Sequence, residues 1–133
     1  MKILKIIPLI SLILFLSACG QDKPKLVKVT GKLSLNGKPL TAGSIYFHPA
    51  QTNSFTKDNP SSILQEDGSF NMKTFPYGDG IPCGEYKITL APQLASRILL
   101  PNLSDPNKSK IAITVPEDGI ENFVLDVGSL KTK

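Results

Sequence analysis

The sequence predicts an all-β fold, a seven-stranded antiparallel Greek-key sandwich that begins at residue 26. In short segments, apolar and polar residues alternate with the period of two that a half-buried strand requires. Residues typical of tight turns (Gly, Pro, Asn and Asp) separate most of these segments. Helical periodicity is absent from every window of a dozen residues. Short strands separated by turn residues are typical of β-sandwiches.

The residues before this fold predict a lipoprotein signal peptide at residues 1–18. Two lysines begin it, and residues 6–16 then form an apolar stretch that is far shorter than the roughly 20 residues a membrane-spanning helix needs. The stretch ends in a segment with the form of a lipobox, Leu16-Ser17-Ala18-Cys19-Gly20. Small residues let a peptidase approach the backbone, and the Cys19 thiol can carry thioether-linked diacylglycerol. We expect cleavage between Ala18 and Cys19, followed by membrane anchoring through the acylated, palmitate-type lipid on Cys19.

A polar tether follows the lipidated cysteine, so that residues 19–25 separate the lipid from the domain at residues 26–133. Cleavage removes Lys2 and Lys5 from the 15 basic residues, which leaves 13 against 11 acidic residues. The remaining lysines are spread along the chain and do not interleave with aromatic residues. This pattern predicts no nucleic-acid partner.

The predicted strands follow in order from the tether. The first has Val29 and Leu33 on one face and lysines on the other, and Asn36-Gly37 then gives a strong hairpin signal. The predicted strands lie at residues 27–35, 44–47, 63–65, 70–74, 86–90, 111–115 and 122–127. The side chains expected in one core are Val29, Leu33, Ile45, Phe47, Ile88, Ile113 and Leu125. Along the fifth strand we expect Tyr86, Ile88 and Leu90 to point inward and Lys87 and Thr89 outward.

Three connections are too long or too polar to be simple hairpins: residues 50–60, 75–84 and 91–108. We expect the last of them to cross between the two sheets. Because a rigid scaffold carries much of its chemistry on its connections, partner contacts are expected there. Phe55, Tyr77 and Arg97 are the candidate partner-binding residues, since interfaces favour Tyr and Arg near their centre.

Read together, the segments resemble a known family. The stretches that carry the resemblance are residues 29–33, 36–40, 43–49, 66–70, 78–86, 103–106, 111–115 and 122–126. In order and behind a lipobox, they resemble small planctomycete-type lipoproteins with a carboxypeptidase-regulatory-like domain, which is related to the transthyretin fold. The resemblance implies two antiparallel sheets packed face to face, in a module that is generally non-catalytic. Cys83 departs from the pattern, because Ala or Pro is expected there. With Cys19 acylated, Cys83 has no intrachain partner, and we expect its thiol to be buried.

Catalytic and metal-binding alternatives are weaker. Transthyretin-fold hydrolases of hydroxyisourate use several His and Arg residues and a Tyr-Arg-Gly-Ser ending, whereas this chain has one His, one Arg and a different ending. His48 is the candidate base, and a carboxylate within reach of it would favour an enzyme. Asp67 and Asp79 precede glycines in turns and form no alternating calcium-loop pattern. We therefore expect no catalytic residues, no metal site and no cofactor.

Carbohydrate binding is the second functional hypothesis. Starch-binding-like sandwiches share the expected architecture, although this chain has no Trp. A single exposed patch of aromatic side chains would favour this hypothesis; the candidates are Tyr46, Phe55, Phe75 and Tyr77. An isopeptide-bonded domain is a further alternative, and it would require Lys28 or Lys32 to meet Asn122 beside a buried acid.

The first functional hypothesis is a non-enzymatic, lipid-anchored protein of the bacterial cell envelope. Its domain would act as a binding or structural module for an envelope protein or a glycan. Gly20, where enterobacterial sorting would use Asp to retain a lipoprotein, favours the outer membrane over the cytoplasmic membrane.

Overall fold

The computed structural model of the protein describes residues 24–131, with side chains described to residue 129. The predicted signal peptide and the cleavage site between Ala18 and Cys19 lie outside the described residues. Within them the chain is mostly β-strand with one α-helix, which confirms the predicted all-β class. The strands are β1 (Leu26–Val27), β2 (Val29–Leu35), β3 (Lys38–Pro39), β4 (Ser44–Pro49), β5 (Ser61–Ile63), β6 (Ser69–Asn71), β7 (Lys73–Thr74), β8 (Gly78–Asp79), β9 (Ile81–Pro82), β10 (Gly84–Leu90), β11 (Ala112–Val115) and β12 (Ile120–Asp126). The helix is α1 (Pro92–Arg97), and 3₁₀ turns cover Pro101–Ser104 and Val127–Lys131.

The strands form a large sheet, a small sheet and one separate pair. The large sheet has the order β11-β10-β4-β5-β7-β8, and the small sheet has the order β12-β2-β3, with β6 also paired to β2. The separate pair is β1 with β9. Among residues 24–131, the strand pairs are antiparallel except β12 with β2, which is parallel. The predicted all-antiparallel arrangement is wrong for that pair. The turn at residues 116–119 joins β11 in one sheet to β12 in the other, so no hairpin fixes the direction of β12.

The predicted hairpin at Asn36-Gly37 is confirmed. Ser34 pairs with Pro39 across β2 and β3. Asn36 and Gly37 have φ angles of 50° and 81°, and positive φ at both central residues is the geometry of the hairpin turn that matches strand twist.

The predicted hairpin between residues 63 and 74 is only partly formed. After the turn, β6 joins the small sheet, where Phe70 pairs with Gly31 of β2. The chain then returns to the large sheet, where Lys73 of β7 pairs with Ser61 of β5. Met72, between β6 and β7, is fully buried. The predicted strand at residues 70–74 therefore contributes to both sheets. The chain passes from one sheet to the other at Met72, whose side chain lies in the core.

The connection at residues 91–108 does not cross between sheets, contrary to the prediction. It joins β10 to β11, which are antiparallel neighbours in the large sheet. It contains α1, which begins with Pro92 in its first turn, a position that tolerates proline because no intrahelical donor is needed there. Leu94 and Ile98, one helical turn apart, are buried. At six residues, α1 is too short to show a helical period in the sequence.

Both sheets contribute to one hydrophobic core. The core prediction is confirmed for five of seven residues, which are fully buried: Val29, Leu33, Ile45, Phe47 and Ile88. Ile113 and Leu125 are only partly buried, because they lie on β11 and β12 at the edges of their sheets.

Asp126 joins the end of β12 to the β2–β3 hairpin. Its carboxylate accepts hydrogen bonds from the backbone amides of Gly37, Asn36 and Gly128 at 2.8–2.9 Å and from the Ser34 hydroxyl at 3.2 Å. These donors, with the Gly37 amide first among them, hold the pKa of Asp126 below its usual value. The ionised carboxylate therefore helps to hold the hairpin against β12.

The Asp126→Asn substitution is expected to lower the Tm at neutral pH. A carboxyl with a depressed pKa in the folded state stabilises the fold above its ordinary pKa of about 3.9 and loses that effect as the pH falls through the folded value. The Tm difference between wild type and variant should therefore shrink below about pH 4. Thermal scans across pH measure it, with Asp118→Asn as the exposed control. A Tm difference that stays constant down to pH 2 would contradict this role.

Candidate functional site

A cleft of about 750 Å³ lies where β2, β5, β6, β7 and β12 approach one another, and it is the candidate binding site. Hydroxyl and amide side chains make up much of its lining, including Thr30, Ser62, Ser69, Asn71 and Asn122. Several of these come from solvent-facing positions of strands whose other faces are buried in the core. The cleft is thus a concavity on the outside of the sheets in which these polar groups accompany a larger apolar surface.

The close approach of β12 to β2 shapes one wall of this cleft. A Cβ atom at Gly31 would lie 2.1 Å from the Phe123 carbonyl oxygen and 2.7 Å from Phe70 Cζ, so no larger residue fits there. The pairing of β12 shifts register between Ile120 and Phe123. Asn122 lies in this bulge with a φ of 59°, a left-handed conformation that Asn adopts more readily than most residues. Its backbone N–H donates a hydrogen bond to Thr30 Oγ1 at 3.3 Å.

The two lysines of the cleft are both ion-paired. Lys32 lies 3.7 Å from Asp67, and Lys73 lies 3.7 Å from Asp79. Both pairs are solvent-exposed, so they add little to stability, but they leave the cleft close to neutral. The cleft is therefore suited to an uncharged ligand that forms hydrogen bonds.

Two aliphatic side chains give the cleft an apolar contribution. Ile63 and Val124 are 71% and 70% exposed, and both line it. Asn71, also in the lining, donates its backbone N–H to Ser62 Oγ at 3.0 Å, while its Oδ1 atom is buried without a hydrogen-bond partner among the described residues. An unsatisfied buried acceptor costs about 1–3 kcal/mol.

The structure brings two of the three predicted partner-binding residues together. The rings of Phe55 and Tyr77 meet edge to face, with centroids 6.2 Å apart and planes at 68°. Arg97 lies elsewhere, where its guanidinium donates to the Thr41 carbonyl at 2.5 Å. Thr41 precedes β4 and Phe55 follows it, so they lie beyond opposite ends of this six-residue strand, which is roughly 17 Å long.

The loop at residues 50–60 is held in place by Asn53. This buried side chain accepts a hydrogen bond from the Glu85 amide at 2.6 Å, and the Ala50 amide donates to the Glu85 carbonyl at 2.9 Å. The loop is thereby fixed to the start of β10, next to Gly84, whose φ is 135°. Phe55 lies on this loop, where its ring contacts the ring of Tyr77.

Phe75 belongs to the same end of the molecule as this pair. It lies two residues before Tyr77 in the turn between β7 and β8, and it is 83% exposed. We call Phe55, Phe75 and Tyr77 the aromatic tip. Because Phe55 and Tyr77 meet edge to face, this pair does not form the flat two-ring platform that favours sugar stacking.

His48 does not form an ion pair with any carboxylate among residues 24–131. Its Nε2 atom is hydrogen-bonded to the Thr89 hydroxyl at 2.7 Å, and partial burial lowers the pKa of the imidazole. Thr89, expected to point outward from the core, is only 2% exposed. The alternation along β10 is correct, but the outer face at Thr89 is covered.

The remaining candidates are accounted for by local structure. The Ser69 hydroxyl, followed by the Ser69 backbone amide that donates to Asp67 at 3.0 Å, keeps the pKa of Asp67 below its usual value. Lys28 and Lys32 are more than half exposed and ion-paired, so they do not form the buried triad of an isopeptide bond. Cys83 is half-buried against the core, less buried than predicted.

The cleft could not be anticipated from the sequence, because its lining comes from five strands that are distant along the chain. Among residues 24–131, no three potential metal-ligating side chains are grouped together. No helix in the same range is long and apolar enough to cross a bilayer.

Comparison with known proteins adds no relative. No protein-family model, curated protein or solved structure matches this chain. The functional argument therefore depends on the residues of this chain alone.

Proposed function

We propose that this chain is an exported lipoprotein, anchored in the bacterial cell envelope through Cys19, and that its domain is a non-enzymatic binding module. The lipobox at residues 16–20 supports the anchor. The tether leads directly to β1 at Leu26, so the domain begins where a lipoprotein of this design would place it. The outer membrane is the proposed location.

We further propose that the domain is a seven-stranded Greek-key sandwich of the transthyretin-like, carboxypeptidase-regulatory-like kind. Two sheets that share one core support this proposal. So do the connections at residues 40–43, 64–68 and 116–119, each of which joins a strand of one sheet to a strand of the other. The Tyr86 hydroxyl donates to the Pro82 carbonyl at 2.5 Å, as in the tyrosine corner of Greek-key sandwiches, and burial raises the pKa of Tyr86. Several of the twelve strands are only two residues long. In a seven-strand sandwich they would be counted as extensions of longer strands.

The cleft is the observation that carries the binding function. It combines two exposed aliphatic side chains with uncharged hydrogen-bonding groups, and its lysines are neutralised. An extended segment of an envelope protein has matching chemistry, because its amides and carbonyls are neutral hydrogen-bonding groups and its side chains can contact Ile63 and Val124.

Capture of envelope proteins by the full-length chain tests this function. The double variant Ile63→Glu and Val124→Glu should reduce capture about tenfold or more, since each 1.4 kcal/mol of lost contact is tenfold in Kd. Leu99→Glu is the matched control, because Leu99 is 78% exposed and outside the cleft lining.

The triple variant Phe55→Ala, Tyr77→Ala and Arg97→Ala tests the loop surface. Loss of capture by the triple variant alone would place the contact on the loops, and absence of capture by wild type would indicate a structural role.

A glycan is the second candidate ligand, favoured by the hydroxyl and amide lining of the cleft. Co-sedimentation with purified peptidoglycan tests it. Binding that the Ile63→Glu and Val124→Glu variant abolishes and the Leu99→Glu control retains would favour the glycan over a protein partner.

A further inference from the structure

The tether leaves the domain at a defined place. In the β1–β9 pair, Leu26 is opposite Pro82 and Val27 is opposite Ile81. A Cβ atom at Gly80 would lie 3.0 Å from the Leu26 Cβ atom. Residues 24 and 25 therefore leave the domain on the side formed by residues 80–82.

The aromatic tip lies close to this point. Thr74 pairs with Gly78 at the end of the β7–β8 hairpin, so Phe75 and Tyr77 occupy its turn. Tyr77 is three residues from Gly80, a distance of roughly 10 Å along an extended chain. Phe55 is held at the same place by its contact with Tyr77. The aromatic tip and the origin of the tether are thus neighbours.

The tether is too short to carry this end far from a lipid anchor. Seven residue steps separate Cys19 from Leu26, and a fully extended chain covers at most about 25 Å in that number of steps. A diacylglycerol on Cys19 therefore keeps the end of the domain that bears the aromatic tip near the bilayer surface, whereas the rest of the domain can point away.

The chemistry of this end suits a membrane surface. Phe75 exposes most of an aromatic ring to water, and Tyr77 combines an apolar ring with a polar hydroxyl, as do aromatic residues that are enriched at membrane interfaces. Lys25, exposed next to β1, adds a positive charge that anionic headgroups attract. Asp79, the acidic residue of the hairpin, is ion-paired with Lys73, so its negative charge is offset.

We propose that the domain docks against the membrane that holds its own anchor, with the aromatic tip in contact with lipid headgroups. This inference rests on the proposed lipidation of Cys19. The docked orientation presents the cleft laterally or away from the bilayer, because β2 runs from the tether toward the cleft residues Thr30 and Lys32.

Tryptophan fluorescence tests the contact, because the sequence contains no Trp and one introduced indole is the only such signal. The Phe75→Trp variant of the full, lipidated chain is reconstituted into phosphatidylethanolamine and phosphatidylglycerol vesicles with brominated acyl chains. The matched control is Val124→Trp, also exposed. Val124 pairs with Lys32 of β2, which is five residues beyond Val27 and so up to about 17 Å further along the chain. Blue-shifted emission and several-fold stronger bromine quenching are expected for Phe75→Trp than for the control.

Two results overturn the proposal, and flotation separates them. If the chain floats with the vesicles but the two variants are quenched equally or not at all, the docking is wrong and the lipid anchor stands. If the chain fails to float and its mass shows no lipid, the proposed anchor is wrong and the docking proposal fails with it.

Discussion

Phe47→Ala is expected to lower the free energy of unfolding by about 3–5 kcal/mol. Phe47 is fully buried on β4, pairs with Ile88 across β10, and lies 5.8 Å from the Tyr86 ring between centroids. Close-packed neighbours collapse only partly around a deleted ring, so both the lost transfer free energy and the remaining cavity destabilise the fold. Urea denaturation of residues 26–133, which we expect to fold alone with a strand-rich far-UV spectrum, measures the change.

Phe75→Ala is the matched control for this prediction. This substitution also removes a phenyl ring, but from a residue that is 83% exposed. The free energy of unfolding should therefore change by no more than about 0.5 kcal/mol. Equal losses from the two substitutions would contradict the assignment of Phe47 to the core.

Cys19→Ala is expected to abolish fatty-acid labelling and to move the protein from the detergent phase to the aqueous phase. Each buried acyl methylene contributes about 0.8 kcal/mol, so a single chain binds a membrane marginally and two or more hold it firmly. Without the thiol the thioether cannot form, and the whole of this free energy is lost. Metabolic labelling followed by detergent phase partition measures both effects.

Cys83→Ala controls for the loss of a thiol as such. Cys83 is half-buried against the core and lies far outside the lipobox, so this variant should keep its label and its partition. Label retained in the Cys19→Ala variant would contradict the lipobox interpretation.

The sequence predicted the features that depend on neighbouring residues. The alternation of Val29 and Leu33 with charged residues identified the buried face of β2, because successive side chains of a strand point to opposite sides. Asn36-Gly37 located the first hairpin, because few other residue pairs accept positive φ at both positions.

Features that depend on distant pairing were not predicted. The change of sheet at Met72 requires β2 and β5 to be in place on either side, and the parallel direction of β12 is set by packing after the turn at residues 116–119. The helix α1 was missed because six residues are too few to establish a period.

The same distinction between local features, which were predicted, and distant contacts, which were not, applies to the candidate sites. Aromatic residues in connections suggested Phe55 and Tyr77, but only the anchoring of the loop by Asn53 explains their contact. Arg97 is separated from them by the length of β4, which its position in sequence does not reveal. The cleft depends on Gly31 and the bulge at Asn122, whose joint effect appears only when β12 lies beside β2.

The central claim is that a β-domain is held at a membrane by lipid on Cys19, and the intact mass of the protein extracted from bacterial membranes tests it most directly. The predicted result is a chain that begins at Cys19 and carries the added mass of a diacylglycerol on that residue. An unmodified chain, or one whose first residue is any other, would contradict the account.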